Sequence, residues 1–178
     1  GLLLALVVGA LLTPVFPRSA ESLNALDEML KDQPVGVLIL VMALMPAIGE
    51  EFLFRGFLMG TLKEKCKPVT CIVVTTLVFA AYHMSLIKMF TIGIVGLGLT
   101  LAAYLSGSIV TSMVMHFLNN SFSVLISLYP EQIGKLFPIL MEDKPTGVQM
   151  FAIALTGIFF ALVGLLLLKS KKEMKADK

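Results

Sequence analysis

The sequence predicts an all-α integral membrane protein, a single polytopic helical bundle of about six spans. Three observations lead there. Of the 178 residues, 57% are hydrophobic. Only 15% are charged, against roughly 25% in soluble domains. Long apolar runs alternate with short polar connections, as helices of about 20 residues must if they cross hydrocarbon. Mean hydropathy is +0.93.

The elements follow in order. The first run, residues 1–16, is short and begins at Gly1 with no basic segment ahead of it. It reads as an N-terminally truncated span rather than a secretory signal. In the polar stretch 17–33, Leu23, Leu26, Met29 and Leu30 fall at helical spacing, which suits an amphipathic helix at the interface. The second span starts at Pro34, a good first-turn residue, and runs to about Leu62. Pro46 and Gly49 predict a kink in it just before Glu50. A basic loop, 61–67, leads to a third span over 68–88 that carries His83. The fourth, 89–105, holds Gly93, Gly96 and Gly98, which permit close helix packing. Ser106 and Gly107 break the chain before a fifth span over 108–129, with His116, Asn119 and Asn120. A loop at 130–146 precedes the sixth span, 147–168, and the basic tail 169–178. No soluble domain is seen, so residues 1–178 form one membrane domain.

Loop charge predicts the orientation. Lys63, Lys65 and Lys67 in one loop and five lysines in the tail place both on the same side, which reads as cytoplasmic. Lys88, in a turn on the opposite side, dissents. The net charge of +2 is too small to suggest nucleic acid. Cys66 and Cys71 have neither metal nor redox spacing and read as ordinary thiols. The eleven methionines read as apolar filler.

The informative stretch is 48–57, IGEEFLFRGF. A charge deep in a bilayer costs about 2.5–3.5 kcal/mol or more, so carboxylates there mark a functional site by default. Glu51 and Arg55 stand at i, i+4 on one helix face and can pair. Glu50 is turned from Glu51 by about 100°, so it is left without a local counter-ion. The only two histidines, His83 and His116, lie in other spans at similar depth. His116 and Asn120 share a face, as do Phe79 and His83.

These residue types suit hydrolysis. A carboxylate in a medium of low dielectric can act as general base. One histidine can help it hold a water. A second, with an amide N–H, can stabilise the oxyanion formed when that water attacks a carbonyl. Ser121 lies nearby, but no serine–histidine spacing or nucleophile elbow accompanies it. On the residues alone three other readings stay open. The polar groups could simply join helices. They could line a proton or ion path, or serve a non-catalytic immunity or partner-binding protein. Glu50 and the histidines could ligate zinc as a metal-dependent protease, although no HExxH is present. No cofactor or metal is favoured.

At these residues the sequence resembles the CPBP family of CAAX proteases and bacteriocin-processing enzymes, also called Abi. The family carries EExxxR, FxxxH and HxxxN/D in that order on successive core helices. Here they stand as Glu50-Glu51-Phe-Leu-Phe-Arg55, Phe79-Ala-Ala-Tyr-His83 and His116-Phe-Leu-Asn-Asn120, within residues 34–125. The resemblance implies a glutamate-dependent intramembrane endopeptidase with a helical core. Glu50 would be the water-activating base, assisted by His83. His116 and Asn120 would form the oxyanion site, and Glu51, Arg55 and Phe79 would support its shape. The implied partners are the lipid bilayer and a membrane-associated peptide or lipidated protein, prenylated or bacteriocin-like. The short loops suggest a bacterial plasma membrane.

Overall fold

The computed structural model describes residues 32–136, with Leu11 and Val15 before them. The expected first and sixth spans, most of the 17–33 segment and the basic tail lie outside the described residues.

From residue 35 to 136 five helices follow one another. Helix α1, Val35–Lys65, is 31 residues long and apolar enough to cross a membrane. Helix α2 is Pro68–Tyr82, α3 is Leu86–Ser106, α4 is Ile109–Leu128 and α5 is the short Pro130–Leu136. The Lys88–Ser106 stretch of α3 and all of α4 also have the length and hydropathy of a span. The protein is therefore an integral membrane protein. Helices α1 to α4 run up and down and close into a ring, with α2 packed on α3, α3 on α4 and α4 back on α1. The 61–67 connection and the Gly107 turn lie at one end of this ring, and the turn at 83–85 lies at the other.

Small residues let the helices approach. Ala43 and Ala47, at i, i+4 on α1, are buried where α4 crosses. Met59, Cys71 and Ala103 make an apolar cluster from three helices near the other end. Large apolar side chains face outward along α1, among them Leu40, Leu44, Ile48, Phe52 and Phe57, as suits a lipid-facing surface.

The irregularity expected around Pro46 takes the form of π-helix. Ile39–Leu44 and Phe52–Leu58 are π-helical and flank the α-turn Met45–Glu51. The N–H groups of Met45 and Met59 donate five residues back, to Leu40 O and Phe54 O. Pro46 has no N–H to offer the carbonyl four residues upstream, Met42 O. That oxygen accepts from Asn120 Nδ2 of α4 at 3.2 Å instead.

The third span is shorter than expected. It ends at Tyr82, and α3 begins at Leu86. Met84 takes a left-handed conformation, φ 47°. Ser85 caps α3 by accepting from Lys88 N. Fifteen residues rise about 22 Å, less than the roughly 30 Å of a hydrocarbon core. Non-helical backbone at such depth is tolerated where it lines a cavity. The second break is as expected: Gly107, at φ 69°, ends α3 by donating to Ala103 O, and Ser108 caps α4.

Candidate active site

The α-turn between the two π segments sets the acids. Glu51 points into the ring and is fully buried, while the Glu50 side chain keeps 21% of its surface. One residue of helical rotation accounts for the difference.

On the Glu51 side one carboxylate oxygen, Oε1, takes both the guanidinium and an imidazole, while Oε2 is buried without a partner among the described residues. Arg55 Nη1 donates to Glu51 Oε1 at 2.7 Å, with both side chains at zero exposure. Arg55 Nη2 donates to Gly96 O at 2.9 Å, and both Nη2 and Nε reach Thr100 Oγ1 on α3. Thr100 passes its own proton back to Gly96 O at 2.8 Å. The guanidinium lies over the Phe79 ring, 4.2 Å from its centroid. Phe79 in turn stands edge-on to His83 and His116, at 5.2 and 6.0 Å. It fits because position 96 is glycine: a Cβ there would lie 2.5 Å from Phe79 Cδ1. Gly96 and Thr100 thus belong to the site, and sequence reasoning missed the role of both. The glycines of α3 signalled close packing but not which one a ring would need.

The Glu50 side is open. Glu50, His83, His116 and Asn120 line one cavity of about 300 Å³, with Phe79 in its wall. The four polar side chains come from α1, the end of α2, and α4. Glu50 makes no hydrogen bond to protein among the described residues, and its Oε2 is buried without a partner. The nearest basic atom, His116 Nε2, lies 3.9 Å from Glu50 Oε2, beyond hydrogen-bond reach. Buried polar atoms are nearly always satisfied, so an orphaned carboxylate oxygen beside a cavity requires an explanation.

The histidine tautomers follow from their other nitrogens. His83 Nδ1 lies 3.0 Å from Phe79 O, a pure acceptor, so Nδ1 carries the proton and Nε2 accepts. His116 Nδ1 lies 2.9 Å from Glu51 Oε1 and donates to it. This alters the expected picture of His116, since its Nε2 can donate only when the ring is doubly protonated. Asn120 uses one amide hydrogen on Met42 O, and its Oδ1 accepts from Asn119 at 3.2 Å. Its second amide hydrogen is uncommitted among the described residues.

Asn119, Ser123 and Lys88 also line the cavity. Ser121 does not. Lys88 was expected to sit in a turn; it lies in the first turn of α3 instead. Among the described residues no three His, Cys, Asp or Glu side chains gather to hold a metal ion.

Fold and site together define an integral membrane protein whose helices enclose a cavity lined by a carboxylate and two histidines. The family model for Rce1-like proteins, type II CAAX prenyl endopeptidases, matches residues 32–122, half of the chain. The chain belongs to this family, which is a family of proteases. Comparison with curated proteins and with solved structures gives no match.

Proposed function

We propose that the protein is an intramembrane endopeptidase in which Glu50 activates water against a peptide bond of a membrane-associated, CAAX-type substrate. The observation that carries this reading is the orphaned Glu50 carboxylate, lining the same cavity as both histidines and Asn120. Water bound at Glu50 gives up a proton to the carboxylate as its oxygen attacks the scissile carbonyl. His83, with Nε2 as acceptor, orients that water and shares the proton. The oxyanion is held by the uncommitted Asn120 amide hydrogen. It is held also by His116 Nε2–H when the ring is an imidazolium, for which Glu51 supplies the counter-charge. Collapse of the tetrahedral intermediate breaks the C–N bond. The proton taken by Glu50 passes to the leaving amine, giving a free carboxyl and a free amino terminus.

Glu51, Arg55 and Phe79 touch no substrate in this scheme. They fix His116 and the wall of the cavity. The test is cleavage of a prenylated peptide in vesicles, read by product mass. Wild type should release the C-terminal fragment, and Glu50→Gln should lower its rate by about 10²–10⁴-fold, the worth of a general base. Cleavage by Glu50→Gln at the wild-type rate overturns the reading.

A further inference from the structure

Lys88 is the one cavity-lining cation among the described residues, and neither the topology nor the hydrolytic scheme uses it. It is half-buried in the first turn of α3. Its ammonium makes no ion pair or hydrogen bond to a described residue. Only its backbone is engaged, through Ser85 and Thr91. Glu50 lines the same cavity, yet the two do not pair.

This position disfavours a cation twice. A lysine within an apolar span costs free energy. A helix N-terminus already carries positive partial charge and prefers an acid. A lysine that merely snorkels would lay its stem on lipid-facing surface and carry the ammonium to the headgroups. Lys88 instead shares a cavity-lining face with Ile92 and Val95, at i+4 and i+7. What stabilises an unpaired ammonium in such a place is an anion brought by the ligand.

We infer that Lys88 binds the C-terminal carboxylate of the substrate, and so makes the protease selective for a free chain end close to the scissile bond. The inference rests on the endopeptidase reading above. The chemistry follows from the ligand class: an otherwise apolar peptide has one obligatory carboxylate, at its end. The reach also fits. Ile92 and Val95 lie about 6 and 10 Å along α3 from Lys88. Gly96 O, which accepts from Arg55 Nη2, lies one residue beyond Val95. Glu50 stands five residues before Arg55 on α1, which runs the same way as α3. Its level therefore falls about 7 Å back toward Lys88, beside Ile92. An extended peptide advances about 3.3 Å per residue, so two or three residues separate the anchor from the reacting carbonyl. The apolar side chains of Ile92 and Val95 would line the path between them.

The experiment compares two prenylated peptides, identical but for a free carboxylate or a carboxamide at the C-terminus, with wild type, Lys88→Met and Lys88→Arg. Wild type should cleave the carboxamide with kcat/KM about 10–100-fold lower, mostly through KM, as expected for a lost charge-assisted hydrogen bond. Lys88→Met should bring the two peptides to the same rate, while Lys88→Arg should keep the preference. Equal cleavage of both peptides by wild type, or a preference that survives in Lys88→Met, overturns the assignment. If Lys88→Met does not fold, the wild-type comparison and Lys88→Arg still decide. The proposal on Glu50 fails by a different result, wild-type turnover in Glu50→Gln, so the two can fail separately.

Discussion

Glu50 and Glu51 are adjacent in sequence and sit in opposite environments. Glu51 faces a closed seam where Arg55 and His116 both take its Oε1, Gly96 and Thr100 hold Arg55 in turn, and Oε2 alone is without a partner among the described residues. Glu50 faces a cavity and makes no hydrogen bond to protein among the described residues. A buried ion pair is neutral or mildly unfavourable relative to apolar packing, but strongly costly to break. An unpaired carboxylate beside a cavity is available for proton transfer. On the proposed mechanism, the helix devotes one acid to geometry and the next to chemistry, with rotation about its axis as the separation.

The comparison can be broken from the seam side first. Arg55→Met leaves Glu51 as an uncompensated buried charge and should destabilise the protein by about 3–5 kcal/mol, measured by unfolding in detergent. If stability holds, the seam is not structural. On the cavity side, Asn120→Ala should lower kcat by about 10²–10³-fold with little change in KM, the loss of one oxyanion donor. Part of any stability change would report its bond to Met42 O. A kcat within about threefold of wild type would remove Asn120 from the chemistry. The smallest effect belongs to the joint between the two sides. Gly96→Ala pushes a Cβ into Phe79 and should cost about 1–3 kcal/mol of stability as overpacking. It should also lower activity, since that ring packs on both histidines. A variant as stable and active as wild type would show that Phe79 can move freely.

How much of this was legible depends on whether a feature is local. The Glu51–Arg55 pair is, because i, i+4 spacing on a helix brings the two together whatever surrounds them, and the structure has it at 2.7 Å. So is the divergence of Glu50, fixed by the helical angle. The Phe79–His83 contact follows from the same rule. The end of α2 was less legible. Residues 83–88, HMSLIK, hold no glycine or proline, and only Ser85, a capping residue, marks the break that the left-handed Met84 makes. The π segments are six and seven residues long, too short for a hydrophobic pattern to separate i→i+5 bonding from α-helix. The remaining features are tertiary. Arg55 meets Thr100 forty-five residues away, Glu51 meets His116 sixty-five away, and Lys88 turns toward Glu50's cavity. No spacing in the sequence encodes which residues of different helices meet.

The most direct measurement sets Glu50→Gln beside Glu51→Gln in one detergent, recording Tm and turnover for each. Glu50→Gln should melt with wild type and lose its turnover. Glu51→Gln should melt about 6–20 °C lower, the shift that corresponds to breaking a buried ion pair in a chain of this size. Equal melting of the two variants, or turnover retained in Glu50→Gln, would contradict the division of labour between the two acids.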